Sequence, residues 1–314
     1  MKCEKLYLYE DRPDVTLTTY LWDESLELQP GKKRPAVIVC PGGAYLSCSD
    51  REGEPVALRF MSMGYQAFVL RYSTYLEGNP GMPDPTKPME VKEDRIHPTP
   101  VREIAKAFLM LREHAEEWHM DMDRVAVCGF SAGGHNAAMY SVYWDKPEIT
   151  EFFGRPAEDF KPAAAILSYP VTDSVDMENS MEGIGFAKIL FQAYNVALTG
   201  AAEPDEETLL AVSPARLVDA NTPPTFIWST AQDNLVPIQQ SILMAKALAD
   251  KKIPFEMHIF EEGAHGLSTA DQDSAGDSSQ VNADAAAWIE KADKWLKKRF
   301  TLELPAPRIW GREE

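Results

Sequence analysis

A serine hydroxyl becomes a nucleophile only where a turn presents it and a base takes its proton. Gly129-Phe130-Ser131-Ala132-Gly133 has the form G-x-S-x-G. That form sets a serine on a sharp strand-to-helix turn, with small neighbours so that the turn closes and the helix approaches the sheet. The apolar run 124–128 before it reads as a strand and residues 132–144 after it as a helix, so the motif has the flanking elements it needs. The amino end of such a helix favours negative charge developing beside it. Ser131 is the candidate nucleophile.

Of the six histidines, His114 and His119 fall in the middle and at the end of an expected helix and should face solvent. His135, one turn into the helix after Ser131, should pack, His258 lies mid-strand, and His97 in a proline-rich loop is placed to meet a substrate. His265, in Glu262-Gly263-Ala264-His265-Gly266-Leu267, follows the last expected strand among small residues and is the candidate base. A carboxylate must then hold the imidazole in the right tautomer. Asp233, after the expected strand 225–229, is favoured because its strand should neighbour the histidine-bearing one; Asp173, after the preceding strand, is the competitor. Both fit the chain order serine, acid, histidine.

Acyl transfer also needs donors for an oxyanion. Cys40-Pro41-Gly42-Gly43-Ala44-Tyr45 ends the apolar strand 36–40, and glycine there lets backbone approach a ligand closely. The N–H groups of Gly43 and Ala44, joined by that of Ala132, are the candidate oxyanion hole. Tyr45, Tyr72 and Tyr169, at expected strand ends, are candidates to line a substrate pocket.

These residues must be carried by elements. Residues 6–9 and 16–22 read as an antiparallel edge hairpin, and Pro30-Gly31 as the turn after it. Runs 36–40, 66–71, 124–128, 163–169, 225–229 and 255–260 read as strands, several of them apolar throughout, as strands buried on both faces are. Helices are expected after Pro55, with Leu58 and Met61 inward, and over 101–119, 132–144, 239–250 and 283–300. Residues 73–100, with Pro80, Pro83, Pro85, Pro88, Pro98 and Pro100, read as a long loop placed to wall one side of a cleft. Alternating strand and helix implies a doubly wound, mainly parallel sheet, with ligands at the carboxyl ends of its strands.

The 314 residues carry a formal net charge of −18, which argues against nucleic acid, anionic membranes and strongly anionic substrates. Of the four cysteines, Cys40 and Cys128 end apolar runs and read as buried thiols; no Cys/His cluster has zinc spacing. With no apolar run near the roughly 18 residues of a membrane span and no apolar core in the first residues, a cytoplasmic protein is expected.

PGGAY after a strand, GFSAGGH at the turn, Asp233 followed by Val236-Pro237, and GAHGL near the end occur in that order. Together they resemble the acetyl-esterase/lipase branch of the α/β hydrolases, the HGGG-type carboxylesterases and the related acetyl-xylan and feruloyl esterase-like proteins, over roughly residues 33–300. The resemblance implies an α/β-hydrolase fold: a doubly wound, mostly parallel eight-stranded sheet with helices on both faces and a small helical cap, in a single domain over residues 1–314. It implies no metal or organic cofactor, and carries the family's serine, acid and base onto Ser131, Asp233 and His265 and its oxyanion residues onto Gly43 and Ala44. Pro41 stands where the family's motif opens with histidine and Ala44 where it closes with glycine, which sets the chain nearer the sugar esterases. The family's cap maps to about residues 173–217, where Ile184, Phe186, Ile189, Leu190, Phe191 and Tyr194 are expected either to wall the acyl site or to pack on the core. The implied activity is hydrolysis of short acyl esters, including acetylated sugars, through an acyl-enzyme on Ser131. A peptidase of prolyl-oligopeptidase type shares the same residues but lacks its propeller-sized domain here; a catalytically silent binding module usually lacks a triad member, and none is missing. The carboxyl tail with Trp310 is expected to pack on the body or on a partner subunit, as in a homodimer.

Overall fold

A computed structural model of the chain describes residues 1–25, 27–28, 31–84, 87–180 and 185–301; Pro30, Pro85, Ile184 and Trp310, used above, lie outside them. The strands are β1 (Lys5–Tyr7), β2 (Thr16–Tyr20), β3 (Arg34–Cys40), β4 (Gln66–Arg71), β5 (Met120–Phe130), β6 (Ala164–Ser168), β7 (Thr225–Thr230) and β8 (Phe255–Phe260). They form one sheet in the order β1-β2-β4-β3-β5-β6-β7-β8. The β1–β2 hairpin joins β4 antiparallel, and all other neighbours are parallel.

The helices are α1 (Glu54–Ser62), α2 (Thr99–Glu113), α3 (Ala132–Tyr143), α4 (Pro147–Phe153), α5 (Ser174–Ser180), α6 (Gly185–Thr199), α7 (Glu206–Ala211), α8 (Pro214–Leu217), α9 (Gln239–Asp250), α10 (Ala283–Ala286) and α11 (Trp288–Lys297). Side chains alternate across a strand, so an all-apolar strand needs cover on both faces. Phe226 and Trp228 of β7 join Phe60 of α1 and Trp288 and Trp295 of α11 in one core. Ile227 between them joins Phe108 of α2, Tyr140 of α3 and Met244 of α9 in the other. This is the doubly wound α/β-hydrolase architecture.

Several expectations are corrected. Leu58 is 41% exposed; Val56, Ala57, Phe60 and Met61 form the buried face of α1. α2 stops at Glu113 rather than running to residue 119. Trp118 leaves the helix, stacks on His114 with ring centres 4.4 Å apart and closes over Phe68, which turns the chain into β5. The closing helix is two pieces, α10 and α11, joined at Ala287, and the short α4 was not expected. The excursion between β6 and β7 is helical, as α5 to α8, and sits at the carboxyl edge of the sheet.

Candidate active site

Ser131 caps α3 with φ 51° and ψ −118°, a conformation a non-glycine residue holds only when its surroundings impose it. Its N–H donates to the Ser168 carbonyl at 3.0 Å, and its own carbonyl accepts the His135 N–H at 2.8 Å. A Cβ on Gly129 would stand 2.1 Å from the Gly133 carbonyl oxygen, and one on Gly133 would stand 2.1 Å from that of Cys40. Glycine at these two places is what lets α3 press against the ends of β3 and β5 and drive Ser131 outward.

His265 reaches Ser131 from the loop after β8. Its Nε2 lies 2.8 Å from Ser131 Oγ and its Nδ1 2.8 Å from Asp233 Oδ2. An ionised carboxylate only accepts, so Nδ1–H donates to Asp233 and Nε2 is left to accept the serine proton. Asp233 is fixed in turn, because its Oδ1 accepts the N–H groups of Leu235 and Val236, each at 2.9 Å. Burial by itself lowers the pKa of His265; the charge and hydrogen bond of Asp233, with the charge of Glu52, overcome that and hold it above the ordinary 6.5. The competing acid, Asp173, is engaged within the cap: it accepts from Arg216 Nε at 2.7 Å and from the Asp176 N–H at 3.1 Å.

Ala44 and Tyr45, at φ 55° and 56°, fold the end of β3 into a tight loop over the site. Among the described residues, no protein acceptor takes the N–H of Gly43, Ala44 or Ala132. Ala44, Ser131 and Ala132 share one apolar cleft with Val171, Leu190, Phe191, Tyr194 and Val236. It holds about 350 Å³ of free space, open mouth included.

The three tyrosines expected in the pocket do not line it. All are buried, and each hydroxyl donates to protein: Tyr45 to His135 Nδ1 at 2.7 Å, Tyr72 to the Pro41 carbonyl at 2.7 Å, and Tyr169 to Glu52 Oε1 at 2.6 Å. They brace the loops of the site from behind. His135 packs as expected: Nε2–H donates to the Val212 carbonyl at 2.8 Å, so Nδ1 accepts from Tyr45. His97 faces a separate cavity with Asp205, Glu207 and Thr208. Of the cap residues, Leu190, Phe191 and Tyr194 line the cleft. Phe186 and Ile189 point the other way, into a groove walled by Met82, Pro83 and Met89 of the proline-rich loop; the loop therefore walls that groove. Glu52 went unnoticed: an acidic residue in the charged run Asp50-Arg51-Glu52-Gly53-Glu54 reads as solvated, yet it is only 4% exposed.

Fold and site define an α/β-hydrolase of the esterase class. The chain belongs to the family described as BD-FAE, whose profile matches residues 89–248; that of the dienelactone hydrolase family matches residues 210–300. It is 34% identical over 246 residues to endo-1,4-beta-xylanase B of Butyrivibrio fibrisolvens, covering 77% of this chain and 34% of that protein. The chain thus spans about a third of that relative's length. Among solved structures it is similar to the carboxylesterase Cest-2923 from Lactobacillus plantarum WCFS1, with a TM-score of 0.77, 27% identity and coverage of 95% and 98% of the two chains. It is also similar to an acetyl ester-xyloside bifunctional hydrolase from Caldicellulosiruptor lactoaceticus, with a TM-score of 0.71, 28% identity and coverage of 94% and 96%.

Proposed function

We propose that the protein hydrolyses short-chain carboxylic esters, with acetylated sugars as its natural substrate class, through an acyl-enzyme on Ser131. The observation that carries this reading is the relay Ser131 Oγ, His265 Nε2, Nδ1 and Asp233, with 2.8 Å at each contact, at the head of a small apolar cleft. His265 takes the Ser131 proton as Oγ attacks the ester carbonyl carbon. The carbonyl oxygen becomes an oxyanion facing the N–H groups of Gly43, Ala44 and Ala132. As the tetrahedral intermediate collapses, the carbon–oxygen bond to the alcohol breaks and His265 returns the proton to the leaving oxygen. Water then repeats the sequence on the acyl-enzyme, giving the acid and freeing Ser131.

The apolar lining beside Ser131 suits an acyl group, and the sugar-ester class is supported by the likeness to a xylanase and to an acetyl ester-xyloside hydrolase. The test is hydrolysis of p-nitrophenyl esters from acetate to octanoate by wild type and Ser131→Ala. Serine-dependent turnover that peaks at acetate supports the reading. Turnover that survives Ser131→Ala removes the mechanism, and absence of turnover on every ester moves amide substrates to the front.

A further inference from the structure

Glu52 ends a short 3₁₀ turn, Asp50–Glu52, that lies behind the site and is bonded to the oxyanion loop and to the loop of His265. Its Oε2 accepts the Gly42 N–H at 2.9 Å and its Oε1 the Tyr169 hydroxyl at 2.6 Å. The Tyr169 oxygen accepts the Ser268 N–H at 2.9 Å, three residues beyond His265. The Tyr169 ring meets the His265 ring edge-on, with centres 5.0 Å apart. From the same turn, Arg51 donates to the Gly266 carbonyl at 3.0 Å and the Ser274 carbonyl at 2.6 Å. The fit around Gly42 is close: a Cβ there would stand 2.6 Å from Glu52 Oε2 and 2.9 Å from Ser131 Cβ.

Both hydrogen-bond partners of Glu52 are uncharged, and burying a carboxylate on such terms is costly. Burial first, then the Glu52 charge, push the Tyr169 phenol well above its ordinary range, so Tyr169 stays protonated and remains a donor. The positive charge that forms nearby is the imidazolium of His265 during acyl transfer.

Resting on the assignment of Ser131 and His265 as nucleophile and base, we infer that Glu52 is a positioning residue for acyl transfer. Through Gly42 it holds the loop bearing Gly43 and Ala44, and through Tyr169 and Ser268 it holds the loop bearing His265. The oxyanion donors and the base are thereby set against Ser131 by one buried carboxylate. Its charge adds to that of Asp233 in favouring the imidazolium, so it acts more strongly on the transition state than on the resting site. The titratable and charged groups packed around His265 are Asp233, Glu52, Tyr169 and Arg51.

The experiment compares wild type with Glu52→Gln, Glu52→Asp and Tyr169→Phe by steady-state kinetics on p-nitrophenyl acetate across pH, by thermal melting, and by NMR titration of the His265 imidazole. Glu52→Gln should lower kcat by about 10- to 100-fold, the range a displacement on the order of 1 Å produces, with KM within about threefold. It should also move the His265 titration and the acidic limb of kcat/KM to lower pH. Glu52→Asp, which keeps the charge, should leave the titration near that of wild type. Tyr169→Phe removes the hydroxyl that joins Glu52 to Ser268 and should lower kcat with Glu52 and its bond to Gly42 intact, which keeps the test open if Glu52→Gln does not fold; a folded Tyr169→Phe enzyme with kcat within about twofold of wild type overturns the inference. A folded Glu52→Gln enzyme with kcat within about twofold of wild type, or with the His265 titration unmoved, overturns the inference. The imidazole titration needs no ester, so failure of the esterase reading itself, seen as turnover that survives Ser131→Ala, is read separately.

Discussion

At the residue scale, the relay makes definite demands on charge and tautomer. Asp233→Asn keeps the shape but can donate to Nδ1 and so turn the imidazole to the wrong tautomer; kcat on p-nitrophenyl acetate should fall by about 10³- to 10⁴-fold with KM little changed. As the proposed base, His265 can take the serine proton only when neutral, and its pKa is held above 6.5. Turnover should therefore be lost as pH falls through that raised value, and the acidic limb of kcat/KM, which reports the free enzyme, should lie above 6.5. A limb below 6.5 would contradict the geometry at Asp233. That Ser131, Asp233 and His265 come together was legible because each follows an expected strand and has chemistry that chain order can rank. The tyrosines at strand ends were misjudged because position along the chain does not tell which way a ring turns: all three turn inward to hydroxyl acceptors. Glu52 was illegible because its partner Tyr169 lies 117 residues away, and only the folded sheet makes that neighbour visible.

At the element scale, α6 has two working faces. Leu190, Phe191 and Tyr194 look into the cleft, while Phe186 and Ile189 look into the groove beside the proline-rich loop. Phe191 is stacked on Tyr194, with ring centres 5.4 Å apart at 15°, and lines the same cleft as Ser131. Phe191→Ala should lengthen the accepted acyl chain: the ratio of kcat/KM for butyrate or hexanoate over acetate should rise several-fold, read in the same p-nitrophenyl series. Ile189→Ala, on the outer face, should leave that ratio unchanged. The parallel strands were readable from contiguous apolar runs, and the bounds of α9 and β8 match expectation. The ends of α2 and the break at Ala287 were not, because helical spacing of apolar residues continues through Ala115 and Trp118 although tertiary packing turns the chain there.

At the scale of the whole molecule, buried titratable groups tie stability to pH. Burial pushes His135 down to about 4, and burial, with help from the charges of His135 and Arg102, pushes His97 down to about 3. A base depressed in the folded state stabilises the fold above its unfolded pKa, and that contribution is lost as pH falls from about 6.5 toward the folded value. For His135, fully buried, the loss reaches about 3 kcal/mol near pH 4. Glu103 works the other way, since burial raises it to about 7 against the hydrogen bonds of Ser73 and the charge of Arg12. The net slope is therefore smaller than the histidines alone would set. Melting temperatures of wild type and His135→Gln between pH 7 and 4 isolate the term: the variant, less stable at pH 7, should lose less on acidification. Parallel curves would show that His135 does not carry the effect.

The proposed nucleophile and base also sit at opposite ends of a gradient in local stability. Ser131 follows β5, which has β3 and β6 on its two sides, whereas His265 follows β8, paired among the described residues with β7 alone. Central strands open only with the whole molecule, while a rim strand held on one side opens by fraying at lower cost. With His265 as the proposed base, catalytic competence becomes a gauge of the sheet's rim. On the proposed mechanism, a chain whose interior is intact but whose last strand has lifted would be folded and inert, and mild heat or denaturant should silence it reversibly before it unfolds.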